Sequence, residues 1–152
     1  MPSIMKRKLP ILLLVCLAGL FLVSCGCTSM GDPDEQFRDA WNQSEAALQP
    51  LVTNLTRMAE GQDFEGLAVA VEAVIPTIEE HQATIARIRV SETYTLEKER
   101  YLEGLKELRS VGVQLRDIDE KSMIDQAIDL YIAEQHLDTA RAQLDEVRSM
   151  MQ

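Results

Sequence analysis

The sequence predicts an all-α protein, an antiparallel up-down-up-down four-helix bundle with helices at about 33–60, 64–90, 96–118 and 123–151. Three observations carry that expectation. Apolar residues recur at spacings of three and four through four stretches of similar length, and capping residues or a break in the pattern stand between the stretches. Aromatic residues make up only 5% of the chain and no β-rich window interrupts it, so a sandwich or barrel has nothing to build on. The roughly 120 residues from 32 to 152 suffice for one core and not for two, which predicts a single domain there.

The first helix starts at Asp32-Pro33, an N-cap followed by proline at the first helical position, with Glu35 three residues after the cap. Its apolar positions are Phe37, Trp41, Leu48, Leu51, Leu55 and Met58, with Ser44 in the one gap. Gly61 stops it. Asp63 caps a second helix whose seam is Phe64, Leu67, Val71, Val74, Ile78, His81, Ile85 and Ile88. Extending that seam would bury Glu92, Thr95 and Glu99, so a turn is expected at 90–95. No Gly or Pro marks it, and one long continuous helix is the competing reading.

The third helix carries Tyr101, Leu102, Leu105, Leu108, Val111, Leu115 and Ile118. Gly104 and Gly112 each cost about 1 kcal/mol relative to alanine inside a helix, which predicts close approach of neighbouring helices there. Ser122, with Asp125 three residues on, restarts the chain, and the fourth helix repeats Met123, Ala127, Leu130, Ala133, Leu137, Ala140, Leu144, Val147 and Met151. Large and small residues alternate along that seam, as interdigitation requires. Pro50 and Pro76 follow Gln49 and Ile75, which are poor N-caps, so each is expected inside one helix rather than between two.

The first 25 residues read as an export signal. Lys6, Arg7 and Lys8 precede the apolar run Ile11 to Val23, which as a helix would cover roughly 20 Å against a hydrocarbon core of about 30 Å. That is too short to span. A basic n-region, a short apolar run and a small residue before the cut are what a cleaved signal needs. Leu22-Val23-Ser24-Cys25 resembles the lipobox of prokaryotic membrane lipoproteins. The resemblance covers residues 1–25 alone. It implies cleavage between Ser24 and Cys25 and a diacylglyceryl thioether on Cys25, leaving residues 25–31 as a tether. An uncleaved signal anchor with a coincidental cysteine is the competing reading.

Cleavage would remove three cations and no acid, taking the net charge from −10 to −13. Phosphate backbones and anionic headgroups repel such a surface, so nucleic acid is not an expected partner. Attachment must then come from acyl chains, each methylene of which contributes about 0.8 kcal/mol when buried in the membrane. Cys16 leaves with the signal and Cys25 is consumed by lipid, so Cys27 stands alone and no intramolecular disulfide forms. It is read as an idle thiol beside the anchor, with cross-linking of two copies as the alternative.

Recognisable chemistry is sparse. The chain contains no CxxCH, no HExxH and no Gly-rich phosphate loop. Ile78 and Ala133 stand three residues before His81 and His136, so the Glu-x-x-His pattern of di-iron bundles is missing. No catalytic residues, resident cofactor or metal are expected, and the protein is read as a non-enzyme. One constellation stands out: counting through the turns brings Ser44, His81, Tyr101 and His136 to one level as a polar layer. Such a layer either fixes helix register through buried hydrogen bonds or forms a small-molecule, metal or haem site near His81. Asn42-Gln-Ser44 and Asn54-Leu-Thr56 match the glycosylation sequon, but both fall within a helix, a poor acceptor context.

These readings converge on a lipid-anchored, extracytoplasmic helical bundle at the cell membrane. It is expected to act as a structural or interaction module toward another envelope or membrane protein. The alternative is a ligand-binding or sensory bundle, similar in general shape to the extracytoplasmic helical domains of bacterial and archaeal chemoreceptors. No second apolar segment follows, so a sensor of this kind would require a separate transmembrane partner.

Overall fold

A computed structural model describes residues 31–152 of the chain. The signal, Ser24, Cys25, Cys27 and most of the tether lie outside the described residues. Four helices form one compact unit over Asp32–Gln152: α1 (Pro33–Glu60), α2 (Phe64–Arg87), α3 (Thr95–Leu115) and α4 (Met123–Met150). Single 3-10 turns sit before α3 at Glu92–Tyr94 and after it at Ile118–Glu120. The described residues contain no strand, and the architecture is an all-α four-helix bundle.

The caps act as the sequence suggests. Asp32 accepts from the Asp34 amide at 3.0 Å, Asp63 from the Gly66 amide at 3.0 Å, and Ser122 from the Asp125 amide at 3.3 Å. Each satisfies an amide that the helix itself leaves unpaired. Gly66 has a further role, because a Cβ there would lie 2.3 Å from the Asp63 carboxylate. Between α1 and α2 the left-handed residue is Gln62 at φ 55°, while Gly61 keeps a helical conformation. Pro50 and Pro76 are exposed and lie inside continuous helices.

Two helix ends come earlier than the periodicity suggests. The second helix stops at Arg87 rather than 90, because Ile88 is extended and Lys98 donates to the Ala86 carbonyl at 3.0 Å and also to that of Ile88. A cation on the last carbonyls is a favourable C-terminal arrangement. The third helix stops at Leu115 rather than 118, since Arg116 is extended and Asp117 is left-handed at φ 59°. Ile118 is nevertheless fully buried. The apolar rhythm outlasts the helix, and that is why periodicity alone overshoots.

Close backbone packing follows the chain: α1 against α2, α2 against α3 and, most extensively, α3 against α4. The backbones of the first and last helices scarcely approach one another, and side chains bridge the space between them. The glycines of α3 serve two neighbours, as a Cβ on Gly112 would meet Ile75 Cγ1 of α2 at 2.7 Å and one on Gly104 would meet Leu144 Cδ2 of α4 at 2.8 Å. Phe37, Leu67, Ile78, Ile85, Tyr101 and Leu105 are fully buried at the centre. Burial of this kind contributes roughly 25 cal/mol per Å² of apolar surface and holds the bundle together.

Candidate interaction groove

The two ends of the bundle differ. Where α1 begins and α4 ends, side chains bridge the helices and leave only a smaller cleft of about 180 Å³ beside Leu48 and Leu144; this is the more closed end. Arg148 of α4 reaches Glu45 of α1 at 2.6 Å, and Asp34 accepts from the Ser91 amide and hydroxyl at 2.8 and 2.7 Å. Phe37 meets Tyr94 edge-on at 6.2 Å, and Arg38 lies 5.2 Å above the Tyr94 ring. Burial works against the Arg148 charge, but the Glu45 and Asp145 carboxylates together more than offset it, so the guanidinium holds its proton more tightly than usual.

At the opposite end α1 and α4 separate over an apolar groove of about 530 Å³. Val52 and Leu55 of α1 form one wall, Leu130 and Leu137 of α4 the other, and Leu108 and Leu115 of α3 the floor. The small members of the α4 seam are part of the reason. Ala127 and Ala133 face a space that larger side chains would fill, with Ala59 across from them. Arg141 bounds the groove by donating to Thr56 across the gap at 3.3 Å.

Beside the groove, the start of α4 carries apolar side chains with no neighbour to cover them. Met123 is 85% exposed, Ile124 74% and Tyr131 64%, and Ile128 is also exposed. The cause is register. Gly104 packs on Ala140 and Leu144, Glu107 on His136, and Gln114 on Asp129, so Leu115 at the end of α3 falls opposite Ile128 and Asp129. The first turns of α4 therefore run past the end of α3. Met123 and Ala127, expected in the core, lie exposed for that reason. Asp129 anchors the overhang at its base, buried to 8% exposure and accepting from Gln114 and, at 2.5 Å, from Lys121.

The expected polar layer forms only in part. Ser44 and Tyr101 are both fully buried and adjacent, and burial raises the Tyr101 phenol far above the ordinary tyrosine value, with the nearby Ser44 hydroxyl offsetting a little of the shift. Among the described residues neither hydroxyl sits in hydrogen-bonding geometry with a partner. His136 does not join them, because its Nδ1 pairs with Glu107 Oε2 at 2.6 Å, near two turns of α3 away from Tyr101. His81 is half-buried on α2 rather than central. Only a compact turn would bring His136 level with Tyr101, whereas Arg116 to Ser122 shift α4 along its axis relative to α3. Among the described residues no group of three or more His, Cys, Asp or Glu side chains is placed to hold a metal ion.

Asn42 is exposed and Asn54 accepts from Arg57 at 2.6 Å, both within α1. No helix of the described residues is long and apolar enough to cross a membrane. The main apolar seams do not specify the groove. Its one available signal was Ile124, Ile128 and Tyr131, a second apolar stripe at i, i+4 and i+7 beside the main seam. No family model, curated protein or solved structure matches the chain.

Proposed function

We propose that this protein is a lipid-anchored, extracytoplasmic binding module that docks a partner protein at the membrane surface through the open end of its bundle. The observation that carries the docking reading is the continuity of the groove with the uncovered stripe Ile124, Ile128 and Tyr131. An exposed apolar area of this kind, rimmed by polar residues, is characteristic of an interaction surface. The anchor rests on Leu22-Val23-Ser24-Cys25 and on a charge that leaves lipid as the means of attachment.

Two measurements test the two halves of the reading. The Cys25→Ser variant is expected to leave the membrane fraction while keeping its helical circular dichroism, and intact mass of the wild type is expected to include the acyl groups. Retention of the variant on membranes would favour a signal anchor. Cross-linking on native membranes, followed by mass spectrometry, should join a partner protein to α1 and α4. Loss of that product in Tyr131→Ser, with stability unchanged, supports docking at the groove; an undiminished product removes it.

A further inference from the structure

We infer that the occupant of the groove is an amphipathic helix of the partner, with aliphatic anchors along one face and lysine or arginine beside them. This rests on the docking reading above and adds the chemistry of the partner. Shape selects a helix. The α4 wall runs from Ala127 to Arg141, roughly 20 Å at ~1.5 Å per residue, and is flanked by antiparallel helices over an apolar floor. Anchors at i, i+4, i+7 and i+11 span about 16 Å and fit that length, and laying an apolar helical face into such a groove is a recurring mode of recognition. An extended strand would need a sheet edge, and the described residues contain no strand.

Charge selects the sign. Glu60 on the α1 side and Glu134 on the α4 side both line the groove, and neither makes an ion pair among the described residues. Among the described residues that line or adjoin the groove, Arg141 is engaged with Thr56 and Asp138, Arg57 with Asn54, Lys121 with Asp129, and Arg116 with Glu72. Two carboxylates without an ion pair, one on the α1 side and one on the α4 side of an apolar channel, suit a helix whose cations flank its aliphatic face. A second copy of the chain would oppose acid to acid at net charge −10 or lower, and anionic lipid is repelled for the same reason.

The test uses the full chain in nanodiscs of zwitterionic phosphatidylcholine, with empty discs subtracted. Three 18-residue probe peptides are titrated: leucine and lysine with a helical leucine stripe, the same stripe with glutamate for lysine, and the leucine-lysine composition scrambled to erase the stripe. The striped lysine peptide is expected to bind at least tenfold more tightly than either control. Glu60→Gln with Glu134→Gln, both at exposed positions, should weaken it about tenfold, and Tyr131→Ser should weaken it independently. Equal binding of all three peptides, preference for the glutamate peptide, or indifference to the double variant overturns the inference. Self-cross-linking abolished by Tyr131→Ser, without peptide preference, would make the occupant a second copy. If the native cross-linked partner still depends on Tyr131 while the lysine peptide is not preferred, the chemistry inferred here fails and the docking reading stands.

Discussion

The closed and open ends of this bundle are built from the same helix, α4, with one unbroken apolar rhythm. At the closed end Ala140, Leu144 and Val147 are buried, while at the open end Met123 and Ala127 of the same seam face solvent. Periodicity specifies which face of a helix is apolar, and the neighbours' lengths and register decide whether that face is covered. A seam that outruns its neighbours becomes a surface.

The largest expected contrast sets the two ends directly against each other. Phe37→Ala removes a fully buried ring and should cost about 3–5 kcal/mol, whereas Met123→Ala, at 85% exposure, should stay within about 0.5 kcal/mol. Urea unfolding followed by circular dichroism measures both, and comparable losses would mean that the open end is covered in solution. Gly112→Val comes next. Its new side chain must displace Ile75 Cγ1, only 2.7 Å from the Cβ position, and overpacking of that sort costs about 1–3 kcal/mol.

Asp129→Ala should cost about 1–3 kcal/mol by leaving Gln114 and Lys121 without their shared acceptor. Hydrogen exchange should show the accompanying loss of protection at the start of α4 and not near Val147. Uniform loss along the helix would mean that the overhang is not separately anchored. The smallest effect concerns Tyr101, whose phenol is held protonated by burial. A folded-state value above the unfolded one gives stability that is complete below about pH 10 and is lost as pH rises beyond it. Tyr101→Phe should be nearly neutral at pH 7, since the hydroxyl has no partner in bonding geometry. It should also flatten the alkaline decline in unfolding midpoint; an unchanged slope would place that decline elsewhere.

Much of this architecture is legible before any coordinates. Asp32-Pro33 and Gly61 bracket α1 at its observed limits, and the two helical glycines of α3 mark real close approaches. The ends of α2 and α3 are less legible because Ile88 and Ile118 keep packing inward after the backbone has left the helix. Ser44 and Tyr101 are brought together as the seams imply. His136 is not, because an extended Arg116 and a left-handed Asp117 alter the level of everything after them, and no single-residue preference encodes that displacement. The groove lies beyond reach for a related reason: it is a property of the distance between α1 and α4, elements that share no turn.

Packing through consecutive helices has a consequence for how the molecule forms. Each helix finds its principal neighbour across a short turn, so nearly every close approach is local in the chain and the loops to be closed are small. Chains with such topology search little and fold on timescales of roughly microseconds to milliseconds. The backbone packing of α1 on α2 involves no later helix, α3 adds to α2 through Gly112, and α4 adds to α3 through Gly104, while Phe37 and Ser44 of α1 gain their contacts with Tyr94 and Tyr101 once α3 is in place. A polypeptide delivered N-terminus first could therefore lay down its backbone packing in the order in which it arrives, with the contacts of Phe37 to Tyr94 and Glu45 to Arg148 closing as the later helices dock.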